Sequence, residues 1–240
     1  MSDNLPPRGA DDAAVAQPLY TPIKRRSFFM YAGATAGATA LALAGCKKDP
    51  DPVITSGAVS LGAGDVGVLN YAYALEQLEA AFYAQVVKTP ASDFQTGELA
   101  YFTEVATHEI IHRDFLKAAI NRDAPGKLLQ TLTPILTAID FTKRLSVLTY
   151  AQTFEDLGVS AYNGAGVLFR TPAYLVIAGQ IVSVEARHAA FIRERLLPNS
   201  FSASPQVDAQ GLDKQMSPTD VIAAVQPFVT EKLDASTVGK

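Results

Sequence analysis

The pattern Glu-x6-Tyr followed by Glu-x2-His occurs twice in this chain. Glu76 with Tyr83 precedes Glu109 with His112, and Glu155 with Tyr162 precedes Glu185 with His188. Thirty-three residues separate Glu76 from Glu109 and 30 separate Glu155 from Glu185, the spacing of two related helical hairpins. The chain holds only three His, at 108, 112 and 188, and two of them carry a Glu three positions earlier. Three residues turn a helix by about 300°, so each such Glu and His share one face, one turn apart.

Apolar residues recur at helical spacing over four long segments. The first runs from 65 to 88, with Asp65 as its N-cap and Thr89-Pro90 ending it. The second, 96–121, opens on Thr96, with Glu98 in its first turn where the helix dipole favours a carboxylate. The third covers 142–169, and the fourth, 171–196, starts with Thr171 as N-cap and Pro172 as the first helical residue. Their core-facing stripes are Leu69, Tyr73, Glu76, Ala80, Tyr83 and Val87; Phe102, Val105, Glu109, His112 and Leu116; Leu148, Gln152, Glu155, Val159 and Tyr162; and Ala178, Ile181, Glu185, His188 and Ile192.

The six acidic and imidazole side chains thus fall on apolar stripes that hold no Lys or Arg. Four unpaired carboxylates in such an interior cost several kcal/mol each, or are forced to bind protons. Two divalent cations balance them, so the pattern predicts a dinuclear site of four Glu and two neutral His. Oxygen-rich ligation with imidazole suits iron or manganese and disfavours copper and structural zinc. Tyr83 and Tyr162 lie about 10.5 Å along the helix from their own Glu, too far to touch it, so their expected partners are ligands on a facing helix. Glu79, on the adjacent stripe with Ala72, Leu75, Phe82 and Val86, reads as a partly exposed or hydrogen-bonded residue rather than a ligand, and His108 as an ordinary interfacial histidine. Asp156 and Arg187 are expected to point outward.

Between the second and third helices, residues 122–141 contain two prolines and no helical pattern. A connection this long inside a compact domain needs a use. At about 3.3 Å per residue it can run the roughly 37 Å of a 25-residue helix, which makes the third helix parallel to the second. The expected fold is all-α, a four-helix bundle over 65–196 with one long crossover. A C-terminal extension, 197–240, adds a short fifth helix from Ser217-Pro218 to about Val229, and nothing in its sequence assigns it a function.

The first 45 residues read as an address. Lys24-Arg25-Arg26-Ser27-Phe28-Phe29-Met30 precedes a short Ala/Gly/Thr-rich apolar run that ends in Leu43-Ala44-Gly45-Cys46. This resembles a twin-arginine export signal fused to a bacterial lipoprotein signal, with Arg25 and Arg26 the paired arginines and Cys46 the lipidated residue. The apolar run is too short for a membrane-spanning helix. Residues 46–64, rich in Pro, Gly, Ser and charge, are expected to form a flexible tether. One Cys excludes a disulfide scaffold, a four-Cys zinc site and a Cys-ligated iron–sulfur cluster. A net charge of −4 with no basic segment argues against nucleic acid as a partner, and 48% hydrophobic residues exclude a disordered chain.

The bundle, the crossover and the repeated ligand set resemble the ferritin-like superfamily of di-iron carboxylate proteins, as in bacterioferritin and rubrerythrin. The segment from Leu69 to Tyr83 more closely resembles the exported ferritin-like domain proteins of bacteria. The resemblance covers 65–196. It implies that Glu109 and Glu185 bridge two Fe ions, or two Mn ions, that Glu76 and Glu155 are terminal ligands, and that His112 and His188 bind one metal each. It further implies oxidase, ferroxidase or peroxide-detoxifying chemistry on dioxygen or hydrogen peroxide in the cell envelope, with membrane attachment through the lipid. Two departures bear on the activity: the chain lacks the four-Cys iron module of a rubrerythrin, and Gln152 provides no extra carboxylate one turn before Glu155. A non-catalytic envelope protein for binding or stress protection on the same scaffold is the alternative, and a homo-oligomer is compatible with either.

Overall fold

The computed structural model describes residues 57–240. Its framework is four long helices: α1 (Gly64–Lys88), α2 (Glu98–Asp123), α3 (Arg144–Gly166) and α4 (Pro172–Leu196). A short helix α5 (Pro218–Val225) runs into one 3-10 turn (Gln226–Phe228), and two-residue strands β1 (Val59–Ser60) and β2 (Leu233–Asp234) complete the described elements. α1 packs along α2 and α3 along α4, and the two hairpins meet through α1 and α3. The chain is therefore an all-α bundle with a single long crossover, residues 124–143, between its two halves.

Helix boundaries shift where backbone or long-range partners outcompete local caps. Asp65 is not the N-cap of α1; it sits in the first turn, and its carboxylate accepts the backbone N–H groups of Arg170 at 2.7 Å and Thr171 at 3.0 Å, where α4 begins. α2 starts after Gly97 rather than at Thr96, because Gly97 takes a left-handed conformation with φ 87° that only glycine adopts without strain. α3 starts at Arg144 rather than Thr142, which is held in a turn by the Asp140 carboxylate. It stops at Gly166, short of Phe169.

The crossover is pinned by two buried amides of α1. Asn70 donates to the carbonyls of Leu61 and Lys127 and accepts from the N–H of Leu129 at 2.9 Å; Gln77 accepts from the N–H of Leu132 at 2.8 Å and donates to the carbonyl of Gln130. Seven helical residues rise about 10.5 Å and three extended residues span about 10 Å, so residues 129 and 132 reach successive anchors on the same helix. Leu129, Leu132 and Ile139 then bury their side chains in the core.

One expectation about the chain outside the bundle needs correction, and the extension turns out to share its cause. Residues 57–64 do not continue the tether: β1 pairs in parallel with β2, Leu61 is fully buried, and Gly64 donates to the carbonyl of Lys240. The extension is likewise part of the packing. The N–H of Met216 bonds the carbonyl of Ser160 on α3, and a Cβ at Gly164 would fall 1.8 Å from the Met216 carbonyl oxygen, so only glycine permits that approach. The reason is the same in both cases: α1 is enclosed by α2, α3, the crossover and these two segments, and buries 17 of its 25 residues.

Glu98 joins three helix ends. Its fully buried carboxylate takes bonds from Arg144 at 2.7 Å, from Arg195 at 2.9 Å and from the N–H of Gln95 at 2.7 Å. Burial would raise its pKa, but the two guanidinium groups and the Gln95 N–H hold it below the usual carboxylate range. Removing the carboxylate deletes three charge-assisted bonds but leaves two partly exposed arginines, so Glu98→Ala is expected to cost about 1–3 kcal/mol in denaturant unfolding. An unchanged unfolding midpoint would show that the triad contributes nothing net.

Candidate metal centre

Each of the four bundle helices places a Glu at a position facing the others: Glu76 on α1, Glu109 on α2, Glu155 on α3 and Glu185 on α4. All four are fully buried. His112 and His188 follow on α2 and α4, and both direct Nδ1 at the carboxylates. His112 Nδ1 lies 2.8 Å from Glu185 Oε1, 3.3 Å from Glu109 Oε2 and 3.6 Å from Glu76 Oε2. His188 Nδ1 lies 3.0 Å from Glu109 Oε1 and 3.5 Å from Glu155 Oε2 and Glu185 Oε2.

These distances divide the cluster into two overlapping groups. Glu76, Glu109, His112 and Glu185 form one, and Glu109, Glu155, Glu185 and His188 form the other; within each group the donor atoms lie within 4.8 Å of one another. Glu109 and Glu185 belong to both. Each turns one oxygen toward His112 and the other toward His188, whereas Glu76 and Glu155 each serve one group.

The two tyrosines cross between the halves. Tyr83 on α1 donates to Glu155 Oε1 on α3, and Tyr162 on α3 donates to Glu76 Oε1 on α1, both at 2.5 Å. Burial, followed by the adjacent carboxylate charge, raises both phenol pKa values well above the ordinary value, so each remains an O–H donor. One oxygen of each carboxylate is thereby tied down. The other oxygens, Glu76 Oε2 and Glu155 Oε2, lack a well-aligned hydrogen bond, and so do Glu109 Oε1, both Glu185 oxygens and His188 Nδ1, which face one another across the centre.

Unsatisfied buried oxygens converging on two points are costly without a cation. In the metal-free chain protons take that role. Burial would lower the pKa of His112, but the adjacent carboxylates of Glu109, Glu185 and Glu76 push it up to about 12; His188 is likewise pushed up to about 12, by Glu155 and Glu109 against burial. Burial would raise Glu185, but the two imidazolium groups hold it down to about 2. Glu76 and Glu155 are raised well above the ordinary value, chiefly by burial. Two protonated imidazoles stand where two divalent cations would bring more charge, and the donor set of carboxylate oxygens and imidazole nitrogens fits such a pair.

A family model described as ferritin-like domain matches residues 64–198, the span that holds the four helices, the crossover and the Glu/His cluster. The chain belongs to the ferritin-like domain family. Comparison with curated proteins finds no match.

Two residues of this ferritin-like domain depart from their expected roles. Glu79 is neither partly exposed nor hydrogen-bonded: it is buried, makes no hydrogen bond among the described residues, and lies outside both donor groups. Burial and four neighbouring carboxylates raise its pKa well above the ordinary value. Its space comes from α3, where a Cβ at Gly158 would come within 3.1 Å of Glu79 Oε1. His108 is more than interfacial, because its Nδ1 lies 2.9 Å from His188 Nε2 with the rings 8° from parallel. Asp156 does not simply face solvent but pairs with the buried Arg193, while Arg187 is exposed as expected. Arg25, Arg26 and Cys46 lie outside the described residues.

Proposed function

We propose that this ferritin-like domain holds two iron or manganese ions and acts on dioxygen or hydrogen peroxide, as an oxidase, a ferroxidase or a peroxide-removing protein. The observation that carries the reading is the pair of overlapping donor groups that share Glu109 and Glu185. Glu109 and Glu185 would bridge, Glu76 and Glu155 would be terminal ligands, and His112 and His188 would each bind one ion. When bound, a redox-active metal pair supplies a two-electron change for reaction with an oxygen species.

The chain's own residues shape the site around that chemistry. Tyr83 and Tyr162 keep Glu155 and Glu76 oriented by holding one oxygen of each, so the free oxygen stays aimed at the centre. Apolar side chains within two turns of the ligands, among them Leu148, Phe102, Ile181 and Ile192, are buried around the carboxylates. His112 is the more open end, with 12% of its side chain exposed against 5% for His188.

Metal analysis of the purified chain, followed by anaerobic loading with Fe(II) or Mn(II), tests the reading. The expected result is about two ions per chain and, for the reduced loaded form, consumption of dioxygen or peroxide faster than by the same concentration of free metal. Absence of uptake would remove the function, and uptake without reactivity would favour a non-catalytic envelope protein. Export as a lipid-anchored envelope protein is part of the same proposal, supported by the order Arg25-Arg26, apolar run, Cys46. Export that persists with both arginines changed to Lys would count against it.

A further inference from the structure

The internal repeat breaks beside the ligands. The register that places Glu109 on Glu185 and His112 on His188 places His108 on Val184. One half of the molecule therefore carries an imidazole where the other carries an isopropyl group. Both positions sit one residue before a carboxylate shared by the two donor groups.

The consequence for the two histidines is direct. His188 turns Nδ1 toward Glu109, Glu155 and Glu185, so a metal there would be bound through Nδ1 and the ring proton would lie on Nε2. That Nε2–H points at Nδ1 of His108, 2.9 Å away. The near-parallel rings, with centroids 5.2 Å apart, keep the two side chains in register. Tyr101 adds a second restraint by donating to the backbone carbonyl of His188 at 2.9 Å. His112 also turns Nδ1 inward, but its ring makes no other hydrogen bond among the described residues. It lines an open, mostly apolar cleft of about 350 Å³ with Ile111, Phe115, Ile177, Gln180, Ile181 and Val184.

A metal-ligating imidazole whose outer N–H is held by an acceptor is fixed in tautomer and orientation and is a better donor. We infer that His108 is a positioning residue that makes the two metal positions unequal, the one at His188 binding tightly and the one at His112 weakly and toward that cleft. This rests on the dinuclear reading above. It assigns to His108 and Val184 the difference between two otherwise matched halves.

Anaerobic titration of the full chain with Mn(II) alone, followed by calorimetry and by electron paramagnetic resonance of bound Mn(II), tests it. Wild type is expected to bind in two unequal steps, with His188→Ala removing the tight step and His112→Ala the weak one. His108→Val, which copies the other half, is expected to weaken the tight step about 10- to 100-fold. His108→Asn, whose Oδ1 can accept from His188 Nε2, is expected to restore most of it. Val184→His is expected to tighten the weak step. A wild type that takes up no Mn(II) overturns the dinuclear reading and this inference together. Two equal wild-type steps, or unequal steps that His108→Val leaves unchanged, overturn the inference alone. The partial exposure of His108 makes the substitution tolerable to the fold, and matching circular dichroism and melting of the metal-free variants would show that it has been tolerated.

Discussion

Glu109→Ala is expected to empty both metal positions at once, leaving bound iron or manganese below about a tenth of the wild-type content after anaerobic loading and desalting. The reason is the orientation of its carboxylate, with Oε1 at 3.0 Å from His188 Nδ1 and Oε2 at 3.3 Å from His112 Nδ1. One side chain serves both groups, as does Glu185. Glu76→Gln, which touches only the His112 group, is expected to lose one ion and keep the other. Glu79→Gln is expected to keep both, since Glu79 lies outside the donor groups. Circular dichroism and melting of metal-free Glu109→Ala separate loss of metal from loss of the fold, since the substitution also removes the carboxylate nearest His188. Equal metal loss in Glu76→Gln and Glu109→Ala would sink the assignment of bridging and terminal roles.

The second large effect is the loss, on metal binding, of a decline of stability with pH. In the metal-free chain the folded state holds extra protons: His112 and His188 are raised to about 12, and Glu76, Glu79 and Glu155 are raised as well. The stability these histidines contribute is fully present below the unfolded value of about 6.5 and is lost as pH rises toward about 12. The raised carboxylates act in the same direction, costing stability once pH passes their ordinary value near 4.5. Glu185 acts oppositely, but only in acid, where its contribution fades as pH falls from 4.5 toward about 2. Chelator-treated protein should therefore melt at progressively lower temperature between about pH 5 and pH 9.

Metal must displace those protons, so its affinity rises with pH and the loaded protein should not share the decline. At a thousandfold excess over its dissociation constant each ion adds about 4 kcal/mol, or about 8–16 °C for a domain of this size. Melting of chelated and Mn(II)-loaded protein at pH 5.5 and 8.5 checks this. A metal-free melting temperature independent of pH would contradict the charge assignment of the cluster.

Helix by helix, the bundle and its buried Glu/His cluster are legible in the sequence because the signals are local. A 3.6-residue period, Pro172 at a helix start and a Glu three residues before a His require no knowledge of distant segments. Four carboxylates on apolar stripes already demanded a counter-charge, and the pattern matched a known superfamily. The partners of Tyr83 and Tyr162 were readable in part, since each lies too far from its own Glu and had to look across the bundle.

What only the tertiary structure decided involves residues far apart in the chain. Glu98 looked like a dipole-compensating helix start, and its arginines come from 46 and 97 residues away. Asp65 looked like a cap for its own helix and serves the start of α4, 105 residues on. Asn70 and Gln77, two amides seven residues apart in an apolar helix, were the available signal for the crossover anchors and went unread. Glu79 lies on a stripe that would face solvent in a simple four-helix bundle; here α5 and the segments around it enclose α1, and Gly158 clears the space. Periodicity reports which face of a helix is apolar, but it cannot say how many neighbours a helix has. Nor can it say which of two matched histidines acquires a partner, because that bond joins positions 80 residues apart that no local spacing relates.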